Sequence, residues 1–421
     1  MNSDNRNVIL AVVLSMIVLF GWQFFIAGPQ LEQAQRQAEI AAQQQAESEQ
    51  LAVPTTNADG TAAAPAATSG APQVFADRQS AIAATDRIEI ATADLEGSIN
   101  LTGARIDDLE LKQYRETVDP ESPIIALLKP AGLADAYFIE QGWAAAAGSS
   151  VALPTSQSVW SLEGDNATLT ADTPVTLRFD NGEGLVFHRT FAVDDFYLFT
   201  VTQTVENTGA GDVALFPFSR VVRHGNPQVQ NFFIQHEGPI GVLGSNNYVA
   251  RKYGDLQNEQ QVDFSSTTGW LGIADKYWAT AVLPTPDTAI NARFAYTQSG
   301  GTNVFQTNYV ETQPVMVPAG GTVSHEAYVF AGAKEDRVIA SYQETYGFDR
   351  LELLIDWGWF HFLTKPMHWL LVTLYGILGN FGLAVLAVTV IVKAIFFPLA
   401  NRSYASMDAM RRVQPQMKAI Q

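Results

Sequence analysis

The sequence contains no cysteine. Disulfides, thiolate zinc sites and cysteine nucleophiles are excluded together, and the absence suits an oxidising compartment where a stray thiol is a liability. Basic residues are also scarce: 25 Lys and Arg stand against 43 Asp and Glu, a formal charge of −18. A phosphate backbone needs a basic face, so nucleic acid is excluded as a partner. The six histidines, His188, His224, His236, His325, His361 and His368, show no H-x-x-x-H spacing. There is no G-x-S-x-G elbow, phosphate loop or G-x-G-x-x-G. Paired acids such as Asp107-Asp108 and Asp194-Asp195 fall beside turns, where solvated carboxylates are ordinary. No catalytic, cofactor-binding or metal-binding constellation is present, and the expectation is a protein that is not an enzyme. No internal repeat of solenoid length is found either.

What the sequence does have is two long apolar runs. Val8–Ala27 (VILAVVLSMIVLFGWQFFIA) carries no charge. At about 1.5 Å per helical residue it is long enough for a hydrocarbon core of about 30 Å. It exceeds a usual signal-peptide core, and Phe25 stands where a cleavage site wants a small residue, so it reads as an uncleaved anchor. The second run is Phe381–Leu399 (FGLAVLAVTVIVKAIFFPL), interrupted only by Lys393. Arg402, Arg411, Arg412 and Lys418 follow it against a single acid, Asp408. The positive-inside rule makes that flank cytoplasmic, which places the N-terminus inside and the segment between the two spans outside.

Residues 28–74 are rich in Ala, Gln, Thr and Pro and poor in large apolar side chains. Such a segment buries too little surface to offset its ordering entropy and reads as a disordered tether. From Phe75 the pattern changes to short runs of period two, such as Arg87-Ile88-Glu89-Ile90 and Tyr197–Thr202, separated by turn signals such as Asp180-Asn181-Gly182. Residues 75–345 are therefore expected to form a mainly β, antiparallel sandwich, its last strand at His325–Phe330, closed by a helix over Glu335–Tyr346 and a continuation over Arg350–Ile355. Within 346–380 an aromatic cluster, Trp357–Phe362, precedes Thr364-Lys365-Pro366, read as a helix start. Met367, Leu370, Leu371, Leu374 and Leu378 then form one stripe, expected on a helix lying in the outer membrane interface. The span 381–399 and a cytoplasmic segment 400–421 complete the chain.

Lys393 is the candidate binding residue. A lysine at the centre of a span costs about 2.5–3.5 kcal/mol and marks a functional site by default. Lying six residues from the end of the run, about 9 Å of helix, it is also placed to snorkel to the headgroups. Single-helix physics leaves both readings open: a snorkelling anchor, or a cation lining a wet cavity that receives polar stretches of a passing polypeptide.

The ordered pattern GNFGLAVLAVTVIVKAIFFPLANRSYASMDAMRRVQPQMKAI resembles the first core helix and following cytoplasmic hairpin of YidC-type insertases. Its marks are Gly379-Asn380-Phe381-Gly382, Pro398-Leu399, Tyr404-Ala405-Ser406-Met407, Met410 and Gln414-Pro415; Gly103-Ala104-Arg105-Ile106, Asp275–Thr280 and Trp357–Pro366 are similar to the Gram-negative form. The resemblance implies a periplasmic β-supersandwich and a core of five helices around a hydrophilic groove. It places Lys393 where the family usually has a groove arginine that receives substrate. It further implies an inner-membrane, multi-pass protein whose partners are nascent membrane proteins, the lipid bilayer, the Sec translocon and, through the hairpin, the ribosome. The family continues for about four further spans, so the sequence ending at Gln421 is expected to be a fragment. The alternative from a different class is a membrane-tethered carbohydrate-binding or sugar-modifying β-sandwich, for which Lys393 has no task.

Overall fold

Alternation along the strands decides which face is buried. In Leu185–Val193, Phe187, Phe191 and Val193 are buried, while His188, Thr190 and Ala192 between them are half-exposed. In Arg87–Ala91 the same period buries Ile88 and Ile90 and leaves Glu89 in solvent. A computed structural model describes residues 74–225, 236–244, 247–358 and 360–420. The expected anchor at 8–27 and the tether at 28–74, except Val74, lie outside the described residues. The described residues divide after Leu354 into a β unit and a helical unit.

The β unit is built from two sheets. The nine-stranded sheet runs, in spatial order, Tyr248–Ala250, Gly238–Leu243, Gly269–Ala274, Trp278–Pro284, Thr322–Ala333, Leu198–Asn207, Leu185–Val193, Val175–Asp180 and Ser161–Glu163. The eleven-stranded sheet runs Gln261–Ser266, Ile290–Ser299, Thr302–Glu311, Val213–His224, Tyr137–Ala145, Arg105–Arg115, Leu95–Asn100, Arg87–Ala91 and Thr168–Leu169. Val315–Val317 pairs beside Val213–His224 in it, and Ile124–Leu128 beside Arg105–Arg115. The mainly β, antiparallel architecture read from the sequence is the architecture found. One pairing departs from it: Arg87–Ala91 lies parallel to the two-residue strand Thr168–Leu169. The last strand is longer than expected, Thr322–Ala333, because its ends are held by pairing to Leu198–Asn207 and Trp278–Pro284 rather than by apolar alternation alone.

The helix that closes the unit is Asp336–Tyr346, with Glu335 at its N-cap position. It buries Val338, Ile339 and Tyr342 and ends at Gly347, whose φ of 73° is a left-handed cap. The expected helical continuation over Arg350–Ile355 is only a 3-10 turn, Leu351–Leu354, because the chain has left helical geometry at Gly347 and again at Arg350, φ 48°. Gly332 shows a second use of a missing side chain. A Cβ there would lie 2.2 Å from the Tyr197 ring, so the glycine is what lets that ring lie on the strand.

The core between the sheets is apolar, with Phe187, Phe199, Phe294, Phe305 and Trp270 fully buried. Arg189 is buried in it, and Arg223 is half-buried between residues of both sheets. Arg189 sits in place of an apolar residue on the buried side of its strand. It donates to the Gly103 and Ala104 carbonyls at 3.3 and 3.0 Å and to Gln203 at 3.0 Å, with its guanidinium 4.8 Å over the Trp160 ring. Burial lowers its pKa to about 10, against the attraction of Glu140. Arg223, from the eleven-stranded sheet, donates to both Asp275 oxygens at 2.6 and 2.7 Å and to Tyr253 at 3.1 Å, and lies 4.6 Å over the Tyr137 ring. Asp275 follows the last residue of Gly269–Ala274 in the other sheet, so this pair ties the sheets together. Burial alone would push the Arg223 pKa down; Tyr253 and Asp275 more than offset it and hold the group up. Breaking such a pair leaves an uncompensated carboxylate and costs about 3–5 kcal/mol. Arg223→Ala should therefore destabilise the β unit by about 3 kcal/mol or more, read as a shift of the urea midpoint of the full chain, whereas a surface control such as Arg178→Ala should shift it by less than about 0.5 kcal/mol.

Candidate functional site

Two helices make up most of the helical unit: His361–Leu378 and Phe381–Ile420. Thr364-Lys365-Pro366 was the expected start of the first, but the helix begins one turn earlier, at His361. The turn is held by contacts to the aromatic cluster. Thr364 Oγ1 donates to the Trp357 carbonyl at 2.9 Å, the Lys365 ammonium lies 5.6 Å from the Trp357 ring centre, and His368 meets that ring edge-on at 5.3 Å. Pro366 consequently sits inside the helix, where it gives up one backbone bond.

The stripe read from the sequence is real, but it is not the only apolar face. Met367, Leu370, Leu371 and Leu374 are half-buried, while Leu378 is exposed along with Phe362, Leu363, Trp369 and Ile377. No residue of His361–Leu378 is buried. A helix with apolar side chains on both faces, none of them buried among the described residues, suits a solvent other than water.

The connection to the second helix is a cap on each side. Gly379, φ 64°, closes the first helix by donating its N–H to the Tyr375 carbonyl at 2.8 Å. Asn380 opens the second: its side-chain oxygen accepts from the Leu383 N–H at 3.1 Å, and the Tyr375 and Phe381 rings meet across the turn at 6.1 Å. Among the described residues, Phe381–Met407 is the one helix long and apolar enough to cross a membrane, 27 residues with almost none of that surface buried. Phe396, Phe397 and Leu399, like Leu383 and Leu386 before them, are exposed.

Lys393 lies on this helix and is exposed, with no hydrogen bond or ion pair to any described residue. The helix continues well past Leu399, where the apolar run was expected to end. Counting from Phe381 to Arg402 gives about 32 Å of helix, with Lys393 about 18 Å from the first and about 13 Å from the second. Two of the histidines meet acids: His188 Nδ1 contacts Glu163 and His325 Nε2 contacts Glu311, each at 2.6 Å. Among the described residues no group of three or more His, Asp or Glu is placed to hold a metal ion.

A large β-sandwich followed by an apolar helical hairpin that exposes its surface defines a membrane protein with a substantial domain outside the bilayer. The comparisons narrow the class. A family model described as the YidC periplasmic domain matches residues 87–370, and one described as the 60Kd inner membrane protein matches 373–421. The membrane protein insertase YidC of Beijerinckia indica is 44% identical over 100% of this chain and 69% of its own length; that of Nitrobacter hamburgensis is 47% identical over 100% and 69%. Among solved structures, a galactose mutarotase related enzyme from Lactobacillus acidophilus aligns with a TM-score of 0.40 and 8% identity, covering 58% of this chain and 97% of that one. A likeness that slight supports no reading of this chain. The chain belongs to the YidC family of membrane protein insertases. It is an inner-membrane protein with a periplasmic domain, and its work is to insert membrane proteins into the lipid bilayer, not to catalyse a covalent reaction.

The turn between the helices yields a direct check. Asn380→Ala removes a cap worth about 1 kcal/mol and should speed amide exchange at Leu383 by about fivefold, whereas Asn380→Asp, which keeps the acceptor, should leave it unchanged.

Proposed function

We propose that Lys393 is the charge on which the insertase acts: an ammonium facing a hydrophilic groove within the bilayer that receives polar stretches of an incoming membrane protein. The observation that carries the reading is depth without a partner. Lys393 stands about 18 Å along an apolar helix and has no acid beside it among the described residues. A cation held there at a cost of about 2.5–3.5 kcal/mol is offset if it faces water and an approaching polar chain. The other walls of such a groove would be the further helices of the family's core.

The remaining arrangement follows the charge of the flanks. The basic residues Arg402, Arg411, Arg412 and Lys418 put the end of Phe381–Ile420 in the cytoplasm, so the helix descends from the periplasmic side. The N-terminus is then cytoplasmic, residues 8–27 are a first crossing, and the protein is multi-pass. His361–Leu378, apolar on both faces and rich in aromatics at its start, lies in the outer interface as the chain enters the membrane. The Sec translocon is a partner for chains already in transit, and the cytoplasmic segment from residue 400, basic beyond its start, faces the ribosome. A sugar-binding sandwich with a plain anchor is the weaker reading, because a plain anchor needs neither an intramembrane lysine nor an apolar hairpin.

The test uses the complete insertase in cells depleted of their own. Lys393→Glu should reduce insertion of a dependent substrate by tenfold or more on an order-of-magnitude scale, since it places an acid of the wrong sign in the groove. Lys393→Arg should retain most of the activity. Full insertion by the Glu variant would eliminate the groove role of Lys393 while leaving family membership intact.

A further inference from the structure

One polar constellation of the β unit has no task in the insertion reading. Register sets Arg220 opposite Glu140 on one neighbouring strand and opposite Asn308 on the other, with Arg293 beyond Asn308. Residues directly opposite in antiparallel strands share a face, so the four form a row across the middle of the eleven-stranded sheet. Tyr137, on the alternate face of the Glu140 strand, reaches the Ile273 carbonyl of the other sheet at 3.3 Å. The row therefore lies on the face turned away from the inter-sheet core. Glu140, Asn308 and Arg105 are more than nine-tenths buried, whereas Arg220 and Phe218 beside it are only half-buried and open the row to solvent.

Two guanidinium groups converge on Glu140. Arg220 Nε donates to Oε2 at 2.6 Å, and Arg105 Nη1 stands 3.6 Å from Oε1, too far for a hydrogen bond. Arg105 is carried into place by two residues of positive φ, Gly103 at 79° and Ala104 at 49°, and lies 5.4 Å over the Phe138 ring. A non-glycine residue in that region is a strained position of the kind that gathers at binding sites. Arg105 Nε and the Asn308 side-chain nitrogen are buried with no hydrogen-bond partner among the described residues, while Asn308 Oδ1 accepts from Gln306 at 3.2 Å.

The charges are as unbalanced as the donors. Burial pushes the Glu140 carboxyl up, and Arg220, Arg105 and Arg189 more than offset it and hold it below the ordinary carboxylate range. Nearby acids are already engaged: Asp107 by Arg87, Asp108 and Glu110 by Arg78, and Asp263 by Arg293. With these pairs included, six arginines still face five acids. A neutral acceptor would meet the unused N–H groups and leave the charge standing, whereas an oxyanion meets both, and a guanidinium fork matches the spacing of its oxygens. We propose that this row binds a small oxyanion, held by Arg105 and Arg220 with Asn308 at its side. Phosphate and carboxylate groups share the chemistry.

The test titrates the full chain, in a non-ionic detergent at constant ionic strength, with inorganic phosphate and separately with acetate, followed by calorimetry. At least one should bind saturably with a Kd of about 1 mM or tighter; the tighter of the two assigns the site to phosphate or to carboxylate. Asn308→Asp keeps the shape and the acceptor for Gln306 but sets a negative charge in the row, and should weaken binding by about tenfold or more. Arg105→Gln should weaken it about tenfold while Arg220 still holds Glu140, and the exposed control Arg178→Gln should bind as the parent does. No saturation by either anion up to about 10 mM, equal binding by Asn308→Asp and Arg105→Gln, or equally tight binding of chloride overturns the proposal. None of these outcomes bears on Lys393, so the two readings fail separately.

Discussion

A chain that folds partly against water and partly against hydrocarbon must reverse its burial rule at some point, and everything else in this molecule follows from where that reversal falls. Up to Leu354 apolar side chains are hidden: Phe187, Phe199, Phe305 and Trp270 have essentially no accessible surface. From Phe360 onward residues of the same kind, Phe362, Trp369, Phe396 and Phe397, are more than half exposed. The hydrophobic effect drives the first arrangement and would forbid the second in water. In a bilayer the second costs nothing, because the surrounding chains are as apolar as the side chains, and only the backbone must be satisfied internally. That explains why the β unit can use long-range strand pairing while the helical unit relies on local bonds and caps at Gly379 and Asn380.

Much of this was legible because the two rules leave different periods. Alternation at Arg87–Ile90 and Tyr197–Thr202 marked strands, and a run at 381–399 interrupted only by Lys393 marked a span. The residues at the turn suit it, since glycine accepts the left-handed φ found at Gly379 and asparagine is a strong cap. Helix ends were harder to read. His361 precedes the expected start because Trp357, through Thr364, Lys365 and His368, holds a turn that proline rules alone would not place.

Contacts between residues distant in the chain could not be read at all. Glu335 looked like the first residue of a helix, and its bonds reach Tyr114 and Tyr197, 221 and 138 residues away in the chain. Arg223 and Asp275, separated by 52 residues, were equally hidden. The signal available in each case was an ordinary polar residue in a strand or at a cap, a pattern shared with dozens of solvated positions. Only the register of two large sheets makes these residues neighbours. Arg189 marks the same limit: by period two it falls on the buried face, and nothing local explains why an arginine stands among phenylalanines until the Gly103 and Ala104 carbonyls and Trp160 are seen around it.

Arg189, Arg223 and Lys393 obey one electrostatic rule and reach opposite solutions. Arg189 and Arg223 are fixed charges: Asp275 and Tyr253 more than offset the desolvation of Arg223, whereas Arg189 is held by two carbonyls, an amide and a ring face and still pays for burial with a lowered pKa. Lys393 has none of this among the described residues. Its charge is compact and strongly hydrated, carried on a flexible stem, and a lysine keeps such a charge only where water can follow it. A permanent carboxylate partner would neutralise it and remove the reason for polar chain to approach. An unpaired ammonium on an apolar helix is therefore consistent with a transient partner, supplied each time a polar stretch enters and released when it leaves. On the proposed groove role arginine should serve there and a reversed charge should not, because that role requires sign and access to water rather than a particular geometry of donors.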